Sequence, residues 1–563
     1  MLKKSNLMIP MKDGIRLATD VYLPSVDSIF PVLIKRTPYN KDREKDLYEI
    51  EAYVNADYAV VTQDVRGRYH SEGIFEPYVH EEEDGLALYE WILKQPWCNG
   101  HLGTFGGSYH GGTQWLCAMR GPEHLDATVP VITFDDLFDG SAYQGGAKVL
   151  HDLRWTVADI IPDIMRRAEE AGERVDVEAP EVYHCLDRIP LASDPAVKKY
   201  ARYYLDWMNH SVFDDYWKQF SPKLHYSEVQ APALNISGWY DIFVPSTLRN
   251  YRGMRDHGGS ENARKYTRVI MGPWTHMNFS GKLNEFDFGP EAGDEAINLL
   301  QIKIDWYDHW LKGKPMSFDP EKPVRIFVMG INEWHDEPDW PLPDTQYIPY
   351  YFHSSGNASL ENGLLNTEKP SEEKEDVYIF DPLNPVPTIG GQVILPGDGA
   401  MGPRDQRAAE KRDDVLVFET EALNENLNVI GFLKAKLYVS SDCTDTDFTV
   451  KLTDVDENGV SKLLSDGILR MRYRNSMEAT ELMEPGKIYG IEVDVAATAN
   501  TFLKGHRIRV SVSSSNFPRF NRNSNSGGLI FSEEKEQYRK AENVLYHDAE
   551  HPSCIILPVI REK

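Results

Sequence analysis

The chain has 563 residues, of which 41% are hydrophobic, so it is long enough to build a large core divided over two or three domains. Its 88 acidic and 60 basic residues give a formal net charge of -28, which disfavours nucleic acid and anionic membranes as partners. Five scattered cysteines without a Cys-x-x-Cys pair argue against a disulfide framework or a zinc site, and no apolar run is long enough to span a bilayer, so we expect a cytoplasmic location.

The first part of the chain alternates between predicted strands and helices. Segments 15–23, 31–36 and 59–64 have the pattern of strands. A helix is predicted over 84–94 and a further strand over 127–132. Strands that alternate with helices predict a parallel sheet covered on both faces, which is an α/β fold.

A glycine-rich corner between a short strand and a helix surrounds Ser108, in the segment 106–112 (GGSYHGG). A serine between glycines at such a corner is typical of a nucleophile elbow, whose sharp turn excludes bulky neighbours. The N-terminus of the following helix would favour developing negative charge. The pattern G-x-S-x-G fits imperfectly, because the glycine after the serine falls one place late, at Gly111. The alternative is a glycine-rich turn that contains an ordinary serine.

Residues 134–227 interrupt the alternation of strands and helices. Three segments there look helical, so we expect a helical cap inserted into the α/β domain. Strands return at 233–237 and 267–271, and an amphipathic helix over 299–311 ends at a Lys-Gly-Lys-Pro segment. This ending predicts a domain boundary.

The C-terminal part has a different pattern. Its short alternating segments, separated by turn residues, include 324–329, 435–439, 447–452 and 506–512. This spacing predicts an antiparallel β-sandwich or jelly roll. The expected division is an α/β-hydrolase domain over 1–133 and 228–318, a helical cap over 134–227 and a C-terminal jelly roll over 319–563.

Two residues downstream of Ser108 could complete a catalytic triad. A serine nucleophile needs a histidine base, and the histidine needs a carboxylate that holds its tautomer. Asp241 comes just after the strand at 233–237, and His276 comes just after the strand at 267–271. The order serine, aspartate, histidine is the one found in α/β-hydrolases. The alternative is that both residues are turn formers or satisfied polar groups.

Five motifs of the α/β part resemble the CocE/NonD family of hydrolases, which includes cocaine esterases, X-Pro dipeptidyl peptidases, α-amino acid ester hydrolases and glutaryl cephalosporin acylases. They are 36–41 (RTPYNK), 64–68 (DVRGR), 106–111 (GGSYHG), 238–241 (GWYD) and 272–276 (GPWTH). The resemblance continues through 445–448 (DTDF), 451–455 (KLTDV) and 470–474 (RMRYR). In this family the glycine comes three residues after the serine, which accounts for the position of Gly111.

The resemblance implies a role for each site residue. Ser108 would be the nucleophile, His276 the base and Asp241 the residue that orients it. The backbone N–H of Tyr109 and the hydroxyl of Tyr39 would form the oxyanion hole, since a rigidly held phenol is a good neutral donor. Without the resemblance, Tyr39 would be interpreted as an ordinary aromatic beside a proline turn.

The resemblance also suggests aromatic residues that would contact substrate. Phe243, two residues past the aspartate, and Tyr143 and Trp155, early in the cap, fall near positions that line the family's pocket. Plain core packing is the alternative for each of them. His110 departs from the family's usual apolar or acidic residue, and it would either face substrate or begin the helix.

The predicted reaction is acyl transfer from a small-molecule ester or amide to water through an acyl-enzyme, without metal or organic cofactor. The acidic run 80–84 is interpreted as the first turn of a helix rather than as a metal site. Ile-Phe-Val at 242–244, where α-amino acid ester hydrolases carry acidic residues, disfavours amino-acid esters. The alternatives are an X-Pro dipeptidyl peptidase and an inactive ligand-binding protein. The sequence leaves a homo-oligomer open.

Overall fold

A ten-stranded sheet with helices on both faces forms the framework of the α/β domain. The computed structural model describes residues 1–360, 363–395 and 400–561. Up to residue 133 the elements are β1 (Leu2–Pro10), β2 (Arg16–Leu23), β3 (Phe30–Thr37), α1 (Glu44–Asn55), β4 (Ala59–Asp64), α2 (Glu81–Leu93), β5 (Cys98–Gly107), α3 (Tyr109–Ala118) and β6 (Leu125–Val131). Side chains of β3 alternate between two apolar clusters: Leu33 packs with residues of α1, and Ile34 packs with residues of α2. Both faces of this strand are therefore covered, as its near-continuous apolar sequence predicts.

The helical insertion follows β6. Its elements are the short hairpin β7 (Tyr143–Gln144) and β8 (Ala147–Lys148), followed by α4 (His151–Trp155), α5 (Ile161–Glu170), α6 (Val182–Asp187), α7 (Pro195–Tyr200), α8 (Arg202–Asn209) and α9 (Asp215–Lys218). Local signals fix where these helices begin: before α7, the Asp194 carboxylate accepts the backbone N–H groups of Ala196 and Val197. A buried aromatic cluster that includes Phe138, Trp207 and Trp217 forms the centre of this cap.

The chain then returns to the sheet. The elements are β9 (Leu234–Tyr240), α10 (Val244–His257), α11 (Glu261–Tyr266), β10 (Arg268–Thr275), the small hairpin β11 (Lys282–Leu283) and β12 (Phe286–Asp287), α12 (Leu299–Lys312), β13 (Val324–Val328) and β14 (Glu333–Glu337). The strand order is β1-β2-β4-β3-β5-β6-β9-β10-β13-β14. Strands from β4 to β13 in this order are parallel, and the strands at both edges are antiparallel. The carboxyl ends of β5, β9 and β10 therefore lie at one edge of the sheet.

The strands β13 and β14 lie on the C-terminal side of the boundary expected at residue 319, yet β13 pairs with β10 and extends the α/β sheet. An alternating strand looks the same whether it joins the edge of one sheet or another, so its sequence pattern does not show which sheet it joins.

The C-terminal part is built almost wholly of strands. They are β15 (Gln346–His353), β16 (Gly363–Asn366), β17 (Asp376–Phe380), β18 (Leu416–Glu419), β19 (Leu427–Ser441), β20 (Asp447–Val455), β21 (Ser461–Arg470), β22 (Tyr489–Phe502), β23 (Arg507–Ser513), β24 (Ala541–Tyr546) and β25 (Cys554–Ile560), with one short helix, α13 (Arg407–Glu410). Val269 of β10 and Val450 of β20 belong to one continuous apolar cluster. The α/β and C-terminal domains therefore share a core. Within the described residues, every helix is too short or too polar to cross a bilayer.

Candidate active site

Ser108 lies at the corner between β5 and α3, with backbone angles φ 61° and ψ -124°. A residue other than glycine adopts such a conformation rarely, and here it presents the side chain at the carboxyl edge of the sheet. A Cβ at Gly111 would lie 2.6 Å from the Cβ of Thr133, so only glycine lets α3 pack this closely against the loop after β6. The glycine three places after the serine is a packing requirement of this corner.

Ser108, His276 and Asp241 form one chain of hydrogen bonds. The Ser108 Oγ lies 2.9 Å from Nε2 of His276, and Nδ1 of His276 lies 2.6 Å from Oδ2 of Asp241. Asp241 is fully buried, and its other oxygen accepts the backbone N–H of Phe243 at 2.8 Å. Because the carboxylate faces Nδ1, the neutral imidazole holds its proton there and presents Nε2 as an acceptor to the serine hydroxyl.

Tyr39 also lies close to Ser108. The Trp155 indole N–H donates to the Tyr39 hydroxyl oxygen at 2.9 Å, which leaves the hydroxyl hydrogen of Tyr39 available to another acceptor. Burial above all, and then the charge of nearby Asp159, raise the pKa of Tyr39, so its phenol stays neutral. The Ser108 hydroxyl is close enough to exert a smaller, opposite influence on that pKa. Tyr109 begins α3, so its backbone N–H has no carbonyl partner within the helix.

A cavity of about 400 Å³ opens beside Ser108. Of the three aromatic residues predicted to contact substrate, Phe243 and Trp155 lie on its wall. Tyr143 lies instead in the cap core, and it is not among the described residues of the wall. Its hydroxyl donates to the backbone carbonyl of Trp207 at 3.0 Å. A tyrosine whose hydroxyl finds such an acceptor packs stably in a core, and its sequence position alone does not show this.

Comparison with known proteins identifies the family. Residues 13–278 match the X-Pro dipeptidyl-peptidase (S15 family), and residues 317–556 match the X-Pro dipeptidyl-peptidase C-terminal non-catalytic domain. The chain is 40% identical to cocaine esterase from Rhodococcus sp. (strain MB1 Bresler) over 575 aligned residues. The alignment covers 99% of this chain and 98% of the relative. The chain belongs to the CocE/NonD family of hydrolases.

Two solved structures are similar to this CocE/NonD hydrolase along its whole length. An aminopeptidase from the marine sediment archaeon Thaumarchaeota archaeon has a TM-score of 0.83 at 26% identity, covering 100% of this chain and 96% of the other. An α-amino acid ester hydrolase has a TM-score of 0.83 at 25% identity, covering 99% of this chain and 96% of the other. The predicted fold class, an α/β-hydrolase domain with a helical cap and a C-terminal β domain, is confirmed. The protein is a serine hydrolase.

His110, the residue that departs from the family pattern, is buried at the start of α3. Its Nδ1 lies 2.6 Å from the carbonyl oxygen of Gly107 and its Nε2 lies 3.0 Å from the hydroxyl of Thr37. Burial, reinforced by the charge of Lys35, holds the pKa of His110 well below its usual range. The same Thr37 hydroxyl accepts the backbone N–H of Tyr39 at 3.0 Å. The neutral imidazole thus links the serine corner to the Tyr39 loop.

The carboxylates of the cavity are compensated by cations of the protein. Four carboxylates line it, and each has a cationic partner: the pairs are Asp46–Lys35, Glu49–Lys303, Asp152–Lys148 and Asp159–Arg154. An ammonium group on a substrate would have to compete with one of these cations for its carboxylate. The described part of the cavity therefore offers no carboxylate free of a protein cation.

Sequence reasoning missed Glu81 and Arg36, which form a buried network with the hydroxyl of Tyr109 next to Ser108. The Tyr109 hydroxyl donates to Oε1 of Glu81 at 2.7 Å, and Oε2 of Glu81 lies 2.6 Å from the Arg36 guanidinium. The helix α2 begins at Glu81, three residues before the helix predicted over 84–94, and Glu81 is buried. The run of four acidic residues gives no signal of which one turns toward the site, because its partners are distant in sequence.

Proposed function

We propose that Ser108, His276 and Asp241 act as the catalytic triad of an esterase that hydrolyses small-molecule esters. The hydrogen-bonded chain from the serine hydroxyl through the imidazole to the buried carboxylate, at the wall of a cavity, is the observation that carries the proposal. Ester cleavage is the activity named for the cocaine esterase to which the chain is similar over nearly its full length.

In the proposed reaction, Ser108 attacks the ester carbonyl while Nε2 of His276 takes the serine proton. The oxyanion accepts hydrogen bonds from the Tyr109 backbone N–H and the Tyr39 hydroxyl, both held before the substrate arrives. His276 then gives its proton to the leaving alcohol. Water repeats the sequence on the acyl-enzyme and releases the carboxylic acid, so the reaction balances with one water molecule consumed for each ester.

The cavity disfavours a substrate that carries an ammonium group. Its carboxylates are already ion-paired, and the residues after Asp241 are Ile242 and Phe243 rather than acidic ones. A substrate ammonium would therefore gain little electrostatic stabilisation, whereas an alkyl or aryl acyl group can pack on Phe243 and Trp155. Esters with a neutral acyl group are the proposed substrate class.

The test is hydrolysis of 4-nitrophenyl esters together with labelling by a fluorophosphonate. Ser108→Ala should abolish labelling and lower kcat by at least about 10³-fold, since the nucleophile is lost. Ser5→Ala, in the exposed strand β1, is the control and should label and turn over as the unmodified protein does. Retained labelling in Ser108→Ala would refute the assignment of the nucleophile, and an unmodified protein that never labels would support a ligand-binding protein instead.

An X-Pro dipeptidyl peptidase is the second candidate, because residues 13–278 match that family. Such a peptidase must bind the free amino terminus of its substrate, for which an unpaired carboxylate is the natural partner. Comparing 4-nitrophenyl esters with dipeptidyl-proline 4-nitroanilides separates the two. A higher kcat/KM for the anilides, after correction for their intrinsic reactivity, would favour the peptidase.

We also propose that the protein acts in the cytoplasm. Its five cysteines are all free thiols, which suits a reducing compartment. Fractionation of the producing cells, with activity followed by ester hydrolysis, tests the location. Recovery of the activity mainly in the medium or in the membrane fraction would contradict it.

A further inference from the structure

A second histidine, His151, lies on the wall of the active-site cavity. It begins α4, is only 8% exposed, and also borders a smaller cavity of about 130 Å³. Its ring centroid is 6.4 Å from that of Phe243, which in turn is 5.8 Å from the ring centroid of His276. His151 is thus one aromatic ring away from the catalytic base.

No group of the described residues hydrogen-bonds or ion-pairs the imidazole of His151. His110, equally buried, uses both ring nitrogens in hydrogen bonds. Buried polar groups are nearly always hydrogen-bonded, so the nitrogens of His151 must find their partner in a cavity that the residue lines, either water or a polar group of a ligand.

The surroundings keep His151 neutral. Burial is the main cause that lowers its pKa well below the usual range, and the charges of Lys148, Arg519 and Arg154 add to it. Each of these cations has its own carboxylate partner within the protein. A neutral imidazole offers one N–H donor and one nitrogen acceptor to the cavity.

The backbone around His151 is held by two domains. The Leu150 N–H donates to the carbonyl oxygen of Arg519 in the C-terminal domain at 2.9 Å, and the buried pair of Lys148 and Asp152 joins β8 to α4. The backbone that carries the imidazole is therefore preorganised, which lowers the cost of ordering it when substrate binds.

The contact between His151 and Phe243 indicates which part of a substrate reaches His151. Both residues line the cavity, and their ring centroids are 6.4 Å apart. In serine esterases the alcohol leaves first and the acyl group stays bonded to the serine. Phe243 is a proposed contact of that acyl group, so the neighbouring imidazole would face the acyl group as well.

We propose that His151 is a specificity-determining residue that hydrogen-bonds an oxygen atom on the acyl group of the substrate. The enzyme should therefore prefer esters whose acyl chain carries an ether, carbonyl or hydroxyl oxygen over hydrocarbon acyl groups of the same size. A hydrocarbon acyl group would cover the imidazole without satisfying it, which carries a desolvation penalty. This inference rests on the proposed ester hydrolysis.

The experiment uses size-matched pairs of 4-nitrophenyl esters. The pairs are methoxyacetate with butanoate, 3-methoxypropanoate with pentanoate, and 4-methoxybutanoate with hexanoate, so that the oxygen is moved along the chain. For each pair, the ratio of kcat/KM values is divided by the ratio of hydroxide hydrolysis rates, which removes intrinsic reactivity. At one or more chain lengths this corrected ratio should be about tenfold or more in favour of the ether ester, the factor expected of one hydrogen bond.

His151→Leu should bring the corrected ratio close to one, and His151→Gln, which keeps a donor and an acceptor, should retain part of the preference. Ile242→Val, on the same wall, should change both esters of a pair by the same factor. A corrected ratio near one for the unmodified enzyme at every chain length, or an unchanged ratio in His151→Leu, would overturn the inference. The measurements on the unmodified enzyme decide even if the leucine variant does not fold. Failure of the unmodified enzyme to hydrolyse any ester would instead refute the proposed function.

Discussion

The hydroxyl groups of Tyr39 and Tyr109 differ in whether they already donate a hydrogen bond within the protein. The Tyr109 hydroxyl donates to the Glu81 carboxylate, so its hydrogen is already used. The Tyr39 hydroxyl accepts a hydrogen bond from Trp155 and keeps its own hydrogen for another acceptor. At residue scale this difference decides which phenol can serve an oxyanion, and it leaves Tyr109 to contribute through its backbone N–H.

Replacing Tyr39 by phenylalanine should therefore lower kcat by about 10²- to 10³-fold, because one donor to the oxyanion is lost. KM should change little, since the ground-state carbonyl is a weaker acceptor than the oxyanion. Steady-state hydrolysis of a 4-nitrophenyl ester measures both constants. Tyr48→Phe removes a phenol from an exposed position and is the control. A fall in kcat of less than fivefold for Tyr39→Phe would remove Tyr39 from the oxyanion hole.

Trp155 should act through Tyr39, as a positioning residue. Trp155→Phe keeps an aromatic ring on the cavity wall but loses the N–H that fixes the Tyr39 oxygen. We expect kcat to fall about tenfold, and to fall no further when this change is added to Tyr39→Phe. A double-mutant cycle on one ester measures the coupling. Additive losses would show that Trp155 acts on the substrate directly and not through the tyrosine.

That Ser108, His276 and Asp241 meet could be predicted because each follows a strand, and parallel strands bring their carboxyl ends to one edge. Ser108 has in addition the glycine pattern that its backbone conformation and the close packing of α3 demand. The sequence does not show that Tyr143 lies in the core of the cap and that His151 lies on the wall of the cavity. Both lie in the cap, where the direction of a side chain depends on tertiary packing and no periodic pattern records it.

At the scale of elements, the strands β17 and β24 are joined by a buried charged contact. His547, directly after β24, lies with Nε2 2.9 Å from Oδ2 of Asp376, the first residue of β17. The other oxygen of Asp376 accepts the backbone N–H of Ala358 at 2.8 Å. Burial alone would lower the pKa of His547, but the hydrogen bond to Asp376 and the charges of Asp376 and Glu373 outweigh it and raise the pKa above its usual value.

This contact should make the stability of the C-terminal domain depend on pH. A histidine whose pKa is higher in the folded than in the unfolded state stabilises the fold fully below about pH 6.5, and this stabilisation is lost as pH rises through the folded value. The difference in Tm between the unmodified protein and His547→Gln should therefore be larger at pH 6 than at pH 9. Glutamine keeps a donor toward Asp376 but cannot carry the charge. A difference that is constant with pH, or that grows toward pH 9, would contradict the assignment.

The elements of the α/β core could be predicted more fully than those at its margins. The strands β3, β4, β9 and β10 have the apolar runs that burial on both faces requires, and the structure has them at the expected places. β13 and β14 lie at the edge of the sheet, where sequence pattern does not distinguish one sheet from another. The assignment of an edge strand depends on which domain lies beside it, which is a property of the whole chain.

At the scale of the whole molecule, the cap is held between the α/β domain and the C-terminal domain. The turn of the hairpin β7–β8 consists of Gly145 and Gly146, both in the left-handed region, and it lies directly against β21. The backbone N–H of Arg470 donates to the Gly145 carbonyl at 2.9 Å. The helix α4, which carries His151 and Trp155 into the cavity, begins three residues after this hairpin. The C-terminal domain thus fixes active-site groups without supplying a member of the triad.

Gly145→Ala should test whether this docking matters for catalysis. A Cβ at Gly145 would clash with the carbonyl oxygen of Ile468, whereas a Cβ at Gly172, also in the left-handed region, would meet open space. Gly172→Ala is therefore the matched control, and it should cost only about 1 kcal/mol for placing alanine in that conformation. Gly145→Ala carries the same cost plus a steric penalty of about 1–3 kcal/mol, so its Tm should fall further.

Because the displaced hairpin leads directly into α4, the kcat/KM of Gly145→Ala for a 4-nitrophenyl ester should fall at least about tenfold. If the two variants lose Tm and kcat/KM equally, the contact with β21 does not position the active site.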